Sequence, residues 1–398
     1  MLYDHRTNLP LYPKVQVYFP QASAADADRK ARRVKGIHTA AETSTRWSLV
    51  SRFCGLMMRY SPQQELLMTN RKHLAALIGL GLSFAAMTSA QQALAQDAPV
   101  EEQVVNAMNK VFGVHAGFRA NHAKGVVVEG KFKPSAEAAG LSKASLFSGA
   151  EIPVTVRFSD STGVPNLPDG SDDANPHGMA VKFHLADGSD MDIVINSLKF
   201  FPVSTAAELR DLFLAIADSG PGAAKPTKIE QFIGSHPSVP AALGTIATPD
   251  SFASEAYFGV NAFVLVNKAG QKQAIRWQML PEKIVHLDKA EAAKRGPDFL
   301  MTELPARLKQ GPVAFRFMAQ LAAAGDDTKD PAKPWPDDRK LVELGVLTID
   351  KAVADSDAAQ KKLLFLPGQL TDGVEASDDP MIDIRNGAYA ISFSRRNP

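Results

Sequence analysis

Residues 180–196, AVKFHLADGSDMDIVIN, hold the clearest hairpin in the chain. Val181, Phe183 and Leu185 alternate with other residues before Asp187-Gly188, and Met191, Ile193 and Ile195 alternate after it. A period of two on both sides of an Asp-Gly pair predicts a β-hairpin. Upstream, residues 126–132 and the β-branched run 152–159 read as further strands. Downstream, residues 262–267 and 272–279 flank a Lys-Ala-Gly-Gln turn and predict a second hairpin, and residues 345–350 another strand.

Helices punctuate this pattern. Val100, Val104, Met108 and Val111 recur at helical spacing between Pro99 and Gly113. Thr205-Ala-Ala-Glu208 is a capping box that opens a helix with Leu209, Leu212, Phe213 and Ile216 on its apolar face. Residues 326–338, DDTKDPAKPWPDD, predict a polar, proline-rich strap without regular structure. Asp379-Pro380 resembles an N-cap followed by proline at the first helical position, which would put Arg385 and Tyr389 on one helix face. Gly387 weakens that helix, and residues 389–393 alternate as a strand would. The sum is α+β, mostly antiparallel strands with several helices.

The amino-terminal part has a different character. Arg71 and Lys72, an apolar run over residues 74–86, and Ala93-Leu94-Ala95 follow the layout of a secretory signal, with an apolar run too short for a membrane span. Signal peptides start at the initiator, so Met68 is expected to be the true start and residues 1–67 a non-native upstream extension. Residues 1–95 carry net charge +7 and the remainder −6. A mildly acidic mature chain argues against nucleic acid as a partner. The single cysteine, Cys54, falls in the upstream segment, so the exported part is expected to lack disulfides and thiolate chemistry. The expected location is periplasmic or secreted, with no membrane span in the mature form.

Two short patterns far apart carry the chemistry. Arg119-Ala-Asn-His122-Ala-Lys-Gly125 offers an imidazole beside cations, and Arg385-Asn-Gly-Ala-Tyr389 places a guanidinium four residues from a phenol. A buried phenol ionises readily only beside positive charge. Together with Arg157-Phe158-Ser159, Gly178-Met-Ala-Val-Lys-Phe183, and Asn196 followed by Phe200-Phe201, these patterns stand in the order found in haem catalases. The chain resembles that family, in its compact, secreted, catalase-related peroxidase form. The resemblance implies an antiparallel β-barrel core of catalase type with surrounding helices, over residues 96–398 as one haem domain. The implied cofactor is heme, an iron protoporphyrin.

The resemblance also assigns roles. His122 becomes the distal group that takes a proton from one peroxide oxygen and returns it to the other, which imidazole can do at neutral pH. Ser159 would fix its tautomer and ring plane, and Asn196 would hydrogen-bond peroxide oxygen. Tyr389 becomes the proximal iron ligand, since tyrosine is the haem ligand of catalases, with Arg385 holding it ionised. Arg119 and Arg157 match positions that pair with the propionates, and Arg396 is a weaker third. Phe158 and Phe200 would line the cavity, although core packing is an equal reading of either phenylalanine.

Two departures qualify the resemblance. Asn121 is polar where full-length catalases usually carry an apolar residue, and the chain runs only nine residues past Tyr389. Full-length catalases have a long amino-terminal arm and a carboxy-terminal helical segment that build a narrow channel. Without them a more open pocket is expected, one that admits organic hydroperoxides and a small electron donor. The expected function is a haem peroxidase of organic hydroperoxides and hydrogen peroxide with weak catalase activity; nothing in the sequence excludes an oligomer. The alternatives are a fatty-acid hydroperoxide lyase or isomerase on the same fold, or a non-catalytic periplasmic haem-binding protein. A non-haem metal held by His115 and His122 fits no common ligand spacing.

Overall fold

The structure is a computed structural model that describes residues 98–397. The segments expected to be an upstream extension and a signal peptide, and Cys54 with them, lie outside the described residues. The elements in chain order are α1 (Val100–Phe112), β1 (Gly125–Pro134), β2 (Ile152–Ser159), β3 (Gly178–His184), β4 (Asp190–Asn196), α2 (Ala206–Ala217) and α3 (Lys228–Ser235). Next come β5 (Tyr257–Phe258), β6 (Phe263–Val266), β7 (Lys272–Pro281), α4 (Phe299–Leu308), β8 (Val313–Leu321) and β9 (Leu341–Ala352). α5 (Ser356–Lys362), β10 (Val374–Ala376) and α6 (Met381–Arg396) complete the main elements.

Eight of these strands close a barrel in the order β8-β9-β1-β2-β3-β4-β5-β7, with β7 pairing back onto β8. Every one of these pairings is antiparallel. Closure removes the free edges that an open sheet of this length would expose. The hairpin at residues 180–196 forms with Phe183 opposite Met191, and Gly188 takes a positive φ of 84° at its turn. The second hairpin, β6 to β7, also forms.

Side-chain alternation fills the barrel. Val154, Val156, Val181, Phe183, Ile193, Trp277, Phe317 and Leu347 are fully or almost fully buried in one apolar cluster. Phe132, Phe183 and Phe317 meet there edge-to-face or stacked, at centroid distances of 5.4 to 6.1 Å. A second cluster joins α1, α2 and α6 through Val104, Leu209, Leu212 and Met381. Thr205 and Glu208 make both bonds of the capping box at the start of α2.

The carboxy-terminal ambiguity resolves to helix. Met381 N–H donates to Asp379 Oδ1 at 2.9 Å, and α6 runs unbroken through Gly387 and residues 389–393. A Cβ on Gly387 would lie 2.9 Å from Glu101 Cγ, so this glycine lets α1 approach α6 closely. The strap at residues 326–338 has no helix or strand; the Arg276 guanidinium stacks 4.6 Å over the Trp335 ring and holds it down. Among the described residues, no helix is long and apolar enough to cross a membrane.

Candidate functional site

The sheet register assembles one side of the site. Gly125, Ser159, Gly178 and Asn196 stand opposite one another in a single row across β1, β2, β3 and β4. Opposed residues point to the same face, and the barrel interior is taken by Val154, Val156 and Phe158 of β2. Arg157 and Ser159 therefore face outward, together with Asn196. Phe158 does not share that face. It is fully buried in the barrel, stacked on Phe252 at 5.4 Å, so the expectation that it lines the cavity is corrected by the alternation of its own strand. Phe200 packs in a small cluster with Leu198, Ala242 and Val260.

His122 is brought onto the row from the turn that precedes β1. It is the only non-glycine with positive φ among the described residues, at 56°. That conformation costs on the order of 1 kcal/mol and persists only where the surroundings impose it. Here Nδ1 lies 3.0 Å from Ser159 Oγ. The ring sits over Gly178, where a Cβ would fall 2.9 Å from Nδ1 and 2.8 Å from Ser159 Oγ. Burial, then the cations Arg157, Arg119 and Arg385, push its pKa down to about 3, so the imidazole is neutral at neutral pH. Asn196 Oδ1 accepts from Leu198 N–H at 2.9 Å, which fixes the amide at the strand end.

The last helix supplies the other side. Arg385 Nη2 donates to Tyr389 Oη at 3.0 Å and to the Val194 carbonyl at 3.2 Å, tying α6 to β4 two residues before Asn196. Its Nη1 donates to Asn261 Oδ1, and Asn261 Nδ2 donates to the buried Asp379 at 2.7 Å. The guanidinium is thus held on three sides beside the phenol oxygen. Ala120 N–H donates to Ser392 Oγ at 3.2 Å, so the His122 loop is also fastened to α6.

Three arginines crowd the adjoining edge. Arg119 Nη2 donates to the carbonyls of Gln360 and Leu363, at 3.0 and 2.9 Å, and Arg396 Nη2 reaches the same Leu363 carbonyl at 2.9 Å. Arg157 donates to Gln360 Oε1 from Nε and Nη2, and to the His122 carbonyl at 2.8 Å. Among the described residues, no carboxylate lies within ion-pairing distance of any of the three. Burial, and then the charge of Arg396, bring Arg157 down to about 9. Burial brings Arg396 to about 10 and leaves its Nε without a partner. Three arginines with no internal counter-ion, Arg157 and Arg396 buried and Arg119 partly so, are a place for an external anion.

The structure thus brings His122, Ser159 and Asn196 to one sheet row, and Arg385 with Tyr389 onto the helix fastened across it. Gly125 and Gly178, in which a Cβ would collide with Arg157 or with His122, are part of the site through what they lack. Gln360 and Leu363 organise the arginines, and nothing in their local sequence announces it. His115 bonds the Phe112 carbonyl at 3.0 Å, apart from this arrangement. Among the described residues, no group of three His, Cys, Asp or Glu side chains could hold a metal ion.

Residues 93–397 match the model of the catalase family. The chain is 34% identical over 300 residues to a catalase-related peroxidase of Synechococcus elongatus, covering 74% of this chain and 88% of that one. It is 33% identical over 300 residues to a catalase-related peroxidase of Mycolicibacterium paratuberculosis, covering 74% and 94%. Among solved structures, a bacterial catalase superposes with a TM-score of 0.63 at 23% identity, over 71% of this chain and 58% of that one. A fungal catalase superposes with a TM-score of 0.63 at 17% identity, over 85% and 64%. The chain spans less than two thirds of either solved catalase, and these two likenesses concern the fold.

Proposed function

This chain belongs to the catalase family, and from there we propose that it is a haem peroxidase reducing organic hydroperoxides and hydrogen peroxide, with catalase activity as the minor path. The observation that carries the haem reading is the trio Arg119, Arg157 and Arg396, which lacks an internal anion, reaches the His122 loop through Arg157 and shares a helix with the Arg385–Tyr389 pair through Arg396. Two propionates would neutralise such a trio, and a phenol beside a guanidinium is an anionic donor for iron(III). When bound, ferric haem supplies the electrons that cleave the O–O bond and takes them back from the donor.

The rest falls to the side chains. Neutral His122 takes the proton from one peroxide oxygen and hands it to the departing one, which needs Nε2 free as acceptor. Nδ1–H donating to Ser159 Oγ provides that tautomer and fixes the ring plane. With Asn196 Oδ1 held by Leu198 N–H, the amide N–H groups remain to orient the peroxide. Arg385 stabilises Tyr389 as phenolate by donating to its oxygen.

An intact distal set supports cleavage with donor oxidation over rearrangement of a lipid hydroperoxide. Incubating the haem-loaded protein with cumene hydroperoxide, with and without an aromatic donor, tests this. Cumyl alcohol formed in proportion to donor oxidised is the expected result. Consumption of a fatty-acid hydroperoxide without donor, giving aldehydes or epoxides, would overturn it. We further read residues 68–95 as an export signal, which amino-terminal sequencing of the protein isolated from its native cell tests; a mature chain beginning near Gln96 is expected.

A further inference from the structure

Directly behind the distal pair lies a cluster of ionisable side chains that this mechanism does not use. Asp160 follows Ser159 and His177 precedes Gly178, so the two face each other one step beyond the last β2–β3 pair. Both are fully buried, and His177 Nε2 stands 3.5 Å from Asp160 Oδ1. Neither Asp160 oxygen nor either His177 nitrogen has a hydrogen-bond donor or acceptor in place. Four orphaned polar atoms in a dry site are costly unless protons are distributed to pair them.

One distribution does so for Asp160. Asp169, also buried, faces it and is already committed as an anion: its oxygens accept from Lys124 Nζ and, at 2.7 Å, from Leu300 N–H. An ionised Asp160 would offer Asp169 only a second negative charge. A protonated Asp160 donates its O–H to Asp169 and leaves its other oxygen for the N–H of neutral His177. The side chains then tie the ends of β2 and β3 together beneath the seat of His122.

We propose that Asp160 is a buried carboxylic acid, hydrogen-bonded to Asp169 and His177, and acts as a positioning residue that holds Ser159 and Gly178 at the spacing His122 requires. The proposal rests on the distal role given to His122 above. The charged and titratable groups around it are Lys124 ahead of β1, Arg157 on β2, Asp169 in the loop before β3, and Tyr257 on β5. Beyond His177 stand His286 and Glu255. Burial, and then Asp169, raise Asp160 to about 9, while burial lowers His177 to about 3, so both are neutral through the physiological range. Above that upper limit a second anion appears facing Asp169, the tie is broken and Arg157 gains a competing partner.

An acid whose folded pKa is raised binds its proton more tightly in the folded state, so it makes stability fall as pH rises between the unfolded and folded values. Asp160→Asn keeps the shape and removes the titration. Infrared difference spectra at pH 7 between wild type and Asp160→Asn, each with and without haem, should show a protonated-carboxyl C=O band only in the wild type. The alkaline fall in peroxidase rate near pH 9 should weaken in the variant, and its melting temperature should decline less from pH 5 to pH 9. Should Asp160→Asn fold poorly, the wild-type carboxyl band and its loss above pH 9 are read alone. Absence of that band at pH 7, or an alkaline limb identical in both proteins, would overturn the proposal. A protein that keeps the band but binds no haem would instead count against the functional reading.

Discussion

Gly178 stands where no side chain fits against His122: a Cβ there would lie 2.9 Å from Nδ1 and 3.0 Å from Cε1 of the imidazole. His122 is thus seated by an absence on β3 as much as by the hydroxyl of Ser159. Gly178→Ala should displace the ring or break its bond to Ser159. We expect haem to remain bound with peroxidase kcat/KM reduced on the order of tenfold or more, and stability lowered by ~1–3 kcal/mol. Steady-state kinetics beside the absorption spectrum check this; an active Gly178→Ala would remove the close seat from the mechanism.

His122 itself gives a pH test. Its folded pKa, about 3, is below the unfolded value of 6.5, so between these values the unfolded chain binds a proton that the folded chain does not. Stability should therefore fall as pH drops from 6.5 towards 3, and His122→Gln should soften that slope. The same variant should retain haem and lose ~100-fold or more of the O–O cleavage rate. Melting curves across this pH range and stopped-flow mixing with peroxide measure the two effects.

The arginine trio predicts opposite effects in the apo and haem-loaded protein. Arg396 is buried beside Arg119 and Arg157 with no anion among its neighbours, so the apo protein bears its desolvation and their repulsion. Arg396→Met should raise the melting temperature of the apo protein and weaken hemin binding by about tenfold. Hemin titration and calorimetry with and without hemin check the sign of each. A variant that binds hemin as well as wild type would place the propionates elsewhere.

The sequence announces individual elements where its signals are local. The hairpin at residues 180–196, the capping box at Thr205 and the strap at residues 326–338 each carry their own turn or breaker chemistry, and each forms. β5 is only Tyr257–Phe258, too short to show a period, yet it links β4 to β7 and completes the ring. α6 was ambiguous because Gly387 looks like a breaker until Glu101 of α1 is found packed against it. Phe158 shows the hazard of reading a motif as a block: strand alternation already separates it from Arg157 and Ser159. The carbonyls of Leu363 and Gln360 and the Gln360 side-chain Oε1 gather three arginines with no local sequence pattern to mark them, and only the folded chain reveals them.

Tyr389, backed by Arg385, and His122 are expected to hold one porphyrin between them. The absorption and electron paramagnetic resonance spectra of hemin-reconstituted wild type and Tyr389→Phe test it most directly. We predict a high-spin ferric spectrum with an anionic oxygen ligand in the wild type, lost or replaced in Tyr389→Phe while the fold persists by circular dichroism. A wild type that stays colourless after reconstitution, or identical spectra from both proteins, would contradict it.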